Sequence, residues 1–240
     1  MPTNSGPTVV LVHGAFADAS GWRDVADNLR AQGYSCYAPA NPLRGVRPDA
    51  EYLQSFLSTL EGPVVLVGHS YGGCVITNAS PGLPGVRALV YVAAFAPDSG
   101  ETLTECLALG GGSTDLAMNL VLRPYPDAPD GDVDAYIKPE SFHRLFCADL
   151  DPDLAAFMAL SQRGVAASSL GTPSGTPGWR TIPSWSLVAG NDTTIPPEAE
   201  RAMAARAGAT VREIPSSHVA MISHPTETTE VIVEALKATD

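Results

Sequence analysis

Short, continuous apolar runs alternate with amphipathic stretches along most of the chain. The first run, Thr8–Val12, is unbroken and β-branched, which is typical of a strand buried on both faces. Residues 20–30 then place Trp22, Val25 and Leu29 on one side of a helix. Similar patterns predict strands at residues 34–38, 63–67, 86–95, 185–189 and 210–214, and helices at residues 48–60, 71–79, 197–207 and 225–238.

This alternation predicts the α/β fold class, with a mostly parallel sheet of about six strands and helices on both faces. The rhythm stops at residues 97–183, an interval several times longer than one crossover helix requires. We therefore predict a core built from residues 1–96 and 184–240.

The long interval is predicted to form a helical lid, because an insertion after a strand lies over the crevice where open α/β sheets bind ligands. An irregular surface excursion is the alternative interpretation. The helical patterns within residues 97–183 lie at residues 114–122, 140–150 and 153–162.

Charge narrows the choice of partners. Among 240 residues, 26 acidic and 14 basic side chains give a formal charge of −12, which disfavours nucleic acids and anionic membrane surfaces. Every apolar run is far shorter than the roughly 20 residues that cross a bilayer, and residues 1–6 lack the features of a secretory signal. We therefore predict a cytoplasmic protein that binds neither nucleic acid nor membrane. No pattern assigns an oligomeric state.

The cysteines argue against a metal site. Cys36, Cys74, Cys106 and Cys147 are more than thirty residues apart, and no Cys/His cluster has the spacing of zinc ligands. We predict reduced thiols, as in the cytosol, with two disulfides as the alternative.

The segment from Gly68 to Gly72 matches the motif G-x-S-x-G, with Ser70 at its centre. It follows a predicted strand and precedes a predicted helix, the context in which a sharp turn exposes a serine above the sheet. Small neighbours are needed there, because larger side chains would collide with the adjacent chain. We predict that Ser70 is a nucleophile, with an ordinary Gly/Ser turn as the alternative.

A serine nucleophile needs a base within hydrogen-bond reach, and the base needs an acid that orients it. His218 follows the last predicted strand and is the predicted base, whereas His224, at the start of the last helix, is its rival. Asp192 follows the strand at residues 185–189 and is the predicted acid. Asp98, which follows another strand, is the second candidate.

Backbone donors must stabilise the negative oxygen of a tetrahedral intermediate. One predicted donor is the N–H of Tyr71, directly after the serine. The other is expected in the loop after the first strand, at Ala15 or next at Phe16. Apolar lid residues predict a substrate pocket, although their helical spacing is also typical of a packing core. These lid residues are Phe142, Phe146, Phe157, Met158 and Trp179.

Taken together, these motifs resemble the α/β-hydrolase superfamily, in particular its small bacterial esterase-like branch related to plant methylesterases and hydroxynitrile lyases. The resemblance runs from about Thr8 to the last helix. It implies an α/β-hydrolase fold with a helical lid, a Ser70–His218–Asp192 triad, and no metal or organic cofactor. The implied activity is hydrolysis of a small carboxylic ester or lactone through an acyl-enzyme. The residues that carry the resemblance are 11–16, 68–73, 191–192, 195–196 and 217–218.

Several positions separate this chain from other branches. Ser70 stands where haloalkane dehalogenases and typical epoxide hydrolases have aspartate, and where dienelactone hydrolases have cysteine. Val219 and Gly14 stand where hydroxynitrile lyases have lysine and threonine, so the charge needed for lyase chemistry is missing. Thr193 replaces the arginine that often follows the acid in bacterial relatives, which leaves the substrate open.

Two other functions fit the same motifs. An acyl-transferring or editing thioesterase of a biosynthetic pathway would use the same triad and prefer a carrier-bound thioester. A non-catalytic receptor on a hydrolase fold would bind its ligand without efficient turnover.

Overall fold

The computed structural model describes residues 6–239. Residues 1–5 and residue 240 lie outside the described residues. The prediction that residues 1–6 lack a secretory signal therefore falls mostly outside them. The two predicted core ranges, 1–96 and 184–240, likewise each extend beyond the described residues at one end. Among the described residues, no helix combines the length and the apolar character needed to cross a membrane.

Nine strands and nine α-helices are formed along the described chain. Most of them lie where the apolar patterns predict them. The strands are β1 (Thr8–Val12), β2 (Cys36–Tyr37), β3 (Val64–Ser70), β4 (Val86–Ala94), β5 (Leu120–Pro124), β6 (Val133–Ile137), β7 (Val165–Ala166), β8 (Ser184–Ala189) and β9 (Thr210–Ile214). The helices are α1 (Arg23–Ala31), α2 (Val46–Leu57), α3 (Tyr71–Ala79), α4 (Leu103–Leu107), α5 (Pro139–Phe146), α6 (Pro152–Leu160), α7 (Pro197–Arg206), α8 (Ala220–Ser223) and α9 (Pro225–Ala238).

The predicted parallel sheet is confirmed. Its six strands are arranged in the order β2-β1-β3-β4-β8-β9, and every pair of neighbours is parallel. All seven residues of β3 are buried, because helices cover both faces of the sheet. Helix α9 packs on α1 and on β4 and β8, whereas α2 packs on α3. The carboxyl ends of β3, β8 and β9 therefore meet at one edge of the core.

The segment at residues 97–183, which is called the lid below, is not wholly helical. Strands β5, β6 and β7 form an antiparallel sheet of their own. The helix predicted at residues 114–122 is wrong, because a short 3-10 turn at Leu116–Asn119 leads directly into β5, whose backbone groups pair with β6. Pairing with a distant segment overrides the local helical pattern here.

The other two lid helices form as predicted, with earlier ends. Helix α5 and helix α6 each begin with proline in the first turn, where the missing N–H is not needed. The Asp151 side chain accepts the N–H groups of Asp153 and Leu154 and so caps α6.

Two contacts attach the lid to the loop between β2 and α2. The N–H of Ala166 donates to the carbonyl of Leu43 at 2.9 Å. The Arg44 guanidinium forms an ion pair with Asp134 at 2.6 Å. The structure contains Cys36, Cys74, Cys106 and Cys147 as free thiols.

Candidate active site

Ser70 occupies a strained turn between β3 and α3. Its φ of 54° and ψ of −123° lie in a region that residues other than glycine rarely adopt. The strand ends at Ser70 and the helix begins at Tyr71, so the serine has the strand–turn–helix setting expected from its motif. The side chain is only 4% exposed and lines a cavity beneath the lid.

Three glycines allow the chain to close tightly around this turn. A Cβ on Gly68 would lie 2.6 Å from the backbone of Gly72, and one on Gly14 would lie 2.6 Å from the Ser70 Cβ. A Cβ on Gly72 would overlap the carbonyl of Val12. The loop after β1 therefore approaches the serine as closely as main-chain atoms allow.

Asp192 and His218 form a buried pair because they follow neighbouring strands, β8 and β9. The Nδ1 of His218 lies 2.5 Å from Oδ2 of Asp192. The other carboxylate oxygen accepts the N–H groups of Thr194 at 2.6 Å and Ile195 at 3.1 Å. Since a carboxylate can only accept, the proton of a neutral His218 is placed on Nδ1, which leaves Nε2 basic.

Aromatic and polar neighbours fix the His218 ring and its loop. The ring contacts both His69, at 4.7 Å between centroids, and Phe146, at 5.0 Å. The Nε2 of His69 bonds to the carbonyl of His218 at 2.9 Å. Burial, together with the neighbouring His218, lowers the pKa of His69 well below its ordinary value, so the ring is a neutral N–H donor.

The residue before His218 is held from the lid. The backbone N–H of Ser217 donates to Asp149 at 2.9 Å, and its hydroxyl donates to the same carboxylate. Hydrogen bonds from Ser217 keep the pKa of Asp149 below its ordinary value despite partial burial. Sequence reasoning assigned no role to Asp149, which lies in no motif, or to His69, which occupies a variable position of the motif from Gly68 to Gly72.

The structure joins His218 to Asp192 and does not join it to Ser70. Within residues 6–239, the buried Nε2 of His218 has no hydrogen-bond partner. Two of the three predicted triad residues are therefore paired, whereas Ser70 lines a cavity and has no hydrogen bond to His218.

The two rival residues have other partners. The Nδ1 of His224 lies 2.9 Å from the hydroxyl of Ser223 at the start of α9. Asp98 forms an ion pair with Arg180 at 2.5 Å. Neither takes part in the Asp192–His218 pair.

The cavity at Ser70 has a volume of about 80 Å³. The three predicted oxyanion donors, Ala15, Phe16 and Tyr71, line it together with Ser70. Tyr71 is the first residue of α3, so its N–H has no acceptor within the helix. Most of the remaining wall comes from the lid and is aliphatic, with Leu103, Leu107, Leu116, Leu120, Val165 and Leu170.

None of the five lid residues predicted to form the pocket lines this cavity. Phe142 and Phe146 are fully buried, and Phe146 packs edge-on against Phe16 at 6.3 Å. The Nε1 of Trp179 donates to the carbonyl of Pro97 at 3.1 Å. These three side chains belong to the packing core, which is the alternative that their helical spacing left open.

The remaining two, Phe157 and Met158, line an outer groove of about 300 Å³ on the other side of Phe16. Phe16 contributes to the walls of both spaces, and Val219, next to His218, lines the outer one. In the described part of the chain, no group of three His, Cys, Asp or Glu side chains is placed to hold a metal ion.

Comparison with known proteins identifies relatives over nearly the whole chain. The model of a family described as "Alpha/beta hydrolase family" matches residues 9–231. A carbendazim-hydrolysing esterase of Nocardioides sp. (strain SG-4G) is 36% identical over 111 residues, which cover 41% of this chain and 46% of that enzyme. The chain thus matches less than half the length of that relative.

Two longer matches extend the comparison. The alpha/beta hydrolase nvfD of Aspergillus novofumigatus (strain IBT 16806) is 27% identical over 218 residues, covering 79% of this chain and 80% of nvfD. The crystal structure of polyneuridine aldehyde esterase superposes with a TM-score of 0.82 at 20% identity, covering 98% of this chain and 100% of that one. At this identity the structural match shows a shared fold.

Proposed function

The chain belongs to the alpha/beta hydrolase family, and from this premise we propose that it is a serine hydrolase that cleaves a small carboxylic ester or lactone. The observation that carries the proposal is the buried pair of His218 and Asp192, 2.5 Å apart, at the edge of the sheet where Ser70 lines a cavity. Relatives named as an esterase and as a hydrolase agree with this class of reaction.

In the proposed reaction the Ser70 hydroxyl attacks the carbonyl carbon of the ester. Its proton passes to Nε2 of His218, which is the basic nitrogen because Nδ1 donates to Asp192. The new bond joins Ser70 Oγ to the acyl carbon. The alkoxide then leaves with the proton from Nε2, and a water activated in the same way releases the acid and restores the serine.

The free Nε2 of His218 is compatible with this sequence of steps. Catalytic hydrogen bonds are often long or absent without substrate and shorten when it binds. Ionised Asp192 stabilises the imidazolium that forms after the first proton transfer. The N–H groups of Tyr71 and of Ala15 or Phe16 are the proposed donors to the negative oxygen, since all three residues line the cavity with Ser70.

The wall of the cavity favours a short, apolar acyl group. Ligand pockets commonly enclose about 300–1,000 Å³, and the space at Ser70 is about 80 Å³. We therefore propose a small uncharged acyl group as its occupant.

The four free cysteines support the proposed cytoplasmic location, where thiols stay reduced.

Replacement of the nucleophile tests the proposal. Ser70→Ala is expected to reduce hydrolysis of p-nitrophenyl acetate by at least about 1,000-fold, with an unchanged circular dichroism spectrum. Ser58→Ala, at an exposed serine, is the matched control and should retain full activity. An organophosphonate should add to Ser70, as mass spectrometry of peptides can establish.

Unchanged turnover by Ser70→Ala would overturn the assignment. Faster turnover of an acyl-carrier thioester than of the oxygen ester would assign the triad to a thioesterase. Saturable ligand binding by a protein that neither hydrolyses esters nor reacts with the phosphonate would identify a receptor.

A further inference from the structure

Glu200 is a buried acid that the proposed mechanism does not use. It lies on α7 and is 2% exposed. Its Oε2 accepts the N–H of Ala189 at 3.2 Å, whereas its Oε1 has no hydrogen-bond partner among the described residues. An unpartnered oxygen of a buried carboxylate would be costly, because it has lost its water and gained nothing in return.

Asp192 lies next to this acid. Ala189, the last residue of β8, donates its N–H to Glu200 and accepts the N–H of Asp192 at 3.1 Å. The carboxylate of Glu200 and the backbone of Asp192 thus contact the same residue. Burial first, and then the charge of Asp192, raises the pKa of Glu200 well above its ordinary value.

Nearby cations are held mainly by other acids, although Arg201 also attracts the Glu200 carboxylate. Among residues 6–239, no Lys or Arg forms an ion pair with Glu200, since Arg201 pairs with Glu213 at 2.7 Å and with Glu198 at 3.8 Å. Arg206, at the end of α7, pairs with Glu101. Glu213 itself adds negative potential at Glu200.

The elements that pack on α7 add no positive charge. Strand β8 and the turn at Leu109–Gly111 contain no charged side chain. Helix α4 contributes Glu105, which accepts hydrogen bonds from Thr102, and the thiol of Cys106, whose pKa burial raises to about 12. A proton on Glu200 is the remaining way to avoid two adjacent buried charges.

We propose that Glu200 is a positioning residue of the triad: its carboxyl group stays protonated and donates a hydrogen bond from Oε1 to the carboxylate of Asp192. The proposal rests on the proposed function, because the Asp192–His218 pair has a catalytic role only in that mechanism. The bond gives Oε1 a partner and adds a donor to the carboxylate that already accepts from Thr194, Ile195 and His218. The proton remains on Glu200 throughout the cycle.

Thermal stability tests the protonation state without reference to activity. In the unfolded chain Glu200 ionises near its ordinary pKa of 4.5, whereas the folded protein retains the proton to higher pH. The folded state therefore binds one more proton above that value, and this contribution to stability decreases as pH rises. Since Glu200→Gln cannot ionise, the Tm of the wild type relative to this variant should fall between about pH 5 and pH 8.

Glu198→Gln is the matched control, because this exposed glutamate lies two residues earlier on the same helix. It should leave that relative pH dependence unchanged. Parallel Tm curves for the wild type and Glu200→Gln would show that Glu200 is ionised in the folded protein and would overturn the proposal. This measurement remains decisive even if Ser70→Ala shows that the protein is not a serine hydrolase.

Kinetics test the positioning role. Glu200→Ala should lower kcat by about 10- to 100-fold with little change in KM, the effect of losing one hydrogen bond to a charged group. Glu200→Gln retains a donor and should recover most of that loss, with the alkaline limb of the kcat–pH profile moved to higher pH. An alanine variant with wild-type kcat, or a glutamine variant no better than alanine, would overturn the role.

Discussion

The chain packs closely around Ser70 because two neighbouring residues are glycines, which have no Cβ atom. Gly68 and Gly72 lie on either side of the serine, and a Cβ on either would meet main-chain atoms that cannot rotate away. The strained serine backbone is retained because these contacts leave the turn no alternative path. The packing of the turn and the position of the Ser70 side chain therefore depend on the same few atoms.

Gly68→Ala should destabilise the fold and disturb the turn together. Its Cβ would lie 2.6 Å from the backbone of Gly72 and Gly73, and overpacking of this kind costs about 1–3 kcal/mol. Urea unfolding measures the loss. Gly171→Ala is the control, because nothing lies within 4 Å of its Cβ position, and it should change stability by less than about 0.5 kcal/mol. Equal stability of the two variants would contradict the tight packing.

Local sequence signals are enough to propose the reacting residues, but they do not identify the residues packed around them. Ser70, Asp192 and His218 each lie just after a predicted strand, so local sequence suffices to propose them. Glu200 shares the buried face of α7 with Met203 and Ala204, and an acid at that helical spacing could have been noticed. Its position beside Asp192 could not, because it depends on how α7 packs on β8.

Elements within the lid differ in how strongly the core holds them. Helix α5 turns Phe142 and Phe146 into the interior, where Phe146 contacts His218. Helix α6 exposes Phe157 in the outer groove. The sequence predicted both helices from their period, but it did not predict β5, since its partner β6 is brought in by the fold. The spacing of apolar residues along the chain therefore predicted α5 and α6 but did not predict the sheet of β5, β6 and β7.

Alanine substitution of one phenylalanine in α5 and one in α6 should show that α5 is packed against the core and α6 is exposed. Phe142→Ala removes a fully buried ring that packs 4.9 Å from Phe146, and such truncations cost about 3–5 kcal/mol. Phe157→Ala changes a side chain that is 65% exposed and should shift stability by about 0.5 kcal/mol or less. Chemical denaturation of both variants checks the contrast. A large loss for Phe157 would show that α6 packs more tightly than described.

At the scale of the whole molecule, the cavity is shared between core and lid. The core supplies Ser70 and the proposed backbone donors, whereas the lid supplies most of the aliphatic wall. The strand and helix patterns in the sequence are enough to propose the division into a core and an insertion. They did not predict which lid residues face the serine, because that depends on how β5 and α4 fold back over the sheet.

Acyl-chain preference should follow the lid wall. Leu120→Ala removes part of the cavity lining and should raise kcat/KM for p-nitrophenyl hexanoate relative to acetate by about 10-fold, the effect of one or two methylene groups in an apolar pocket. Leu122→Ala, on the same strand and 58% exposed, is the control and should leave the ratio unchanged. An unchanged ratio for Leu120→Ala would place the acyl group elsewhere.

Strands β4 and β8 are direct neighbours in the sheet although the whole lid separates them in sequence. Residues can thus be gained or lost between these strands without altering any pairing in the core. The part of the cavity wall that the lid supplies can therefore change in evolution while Ser70, Asp192 and His218 keep their positions. Under the proposed function, homologues that differ in this segment would accept different substrates and still carry out the same reaction.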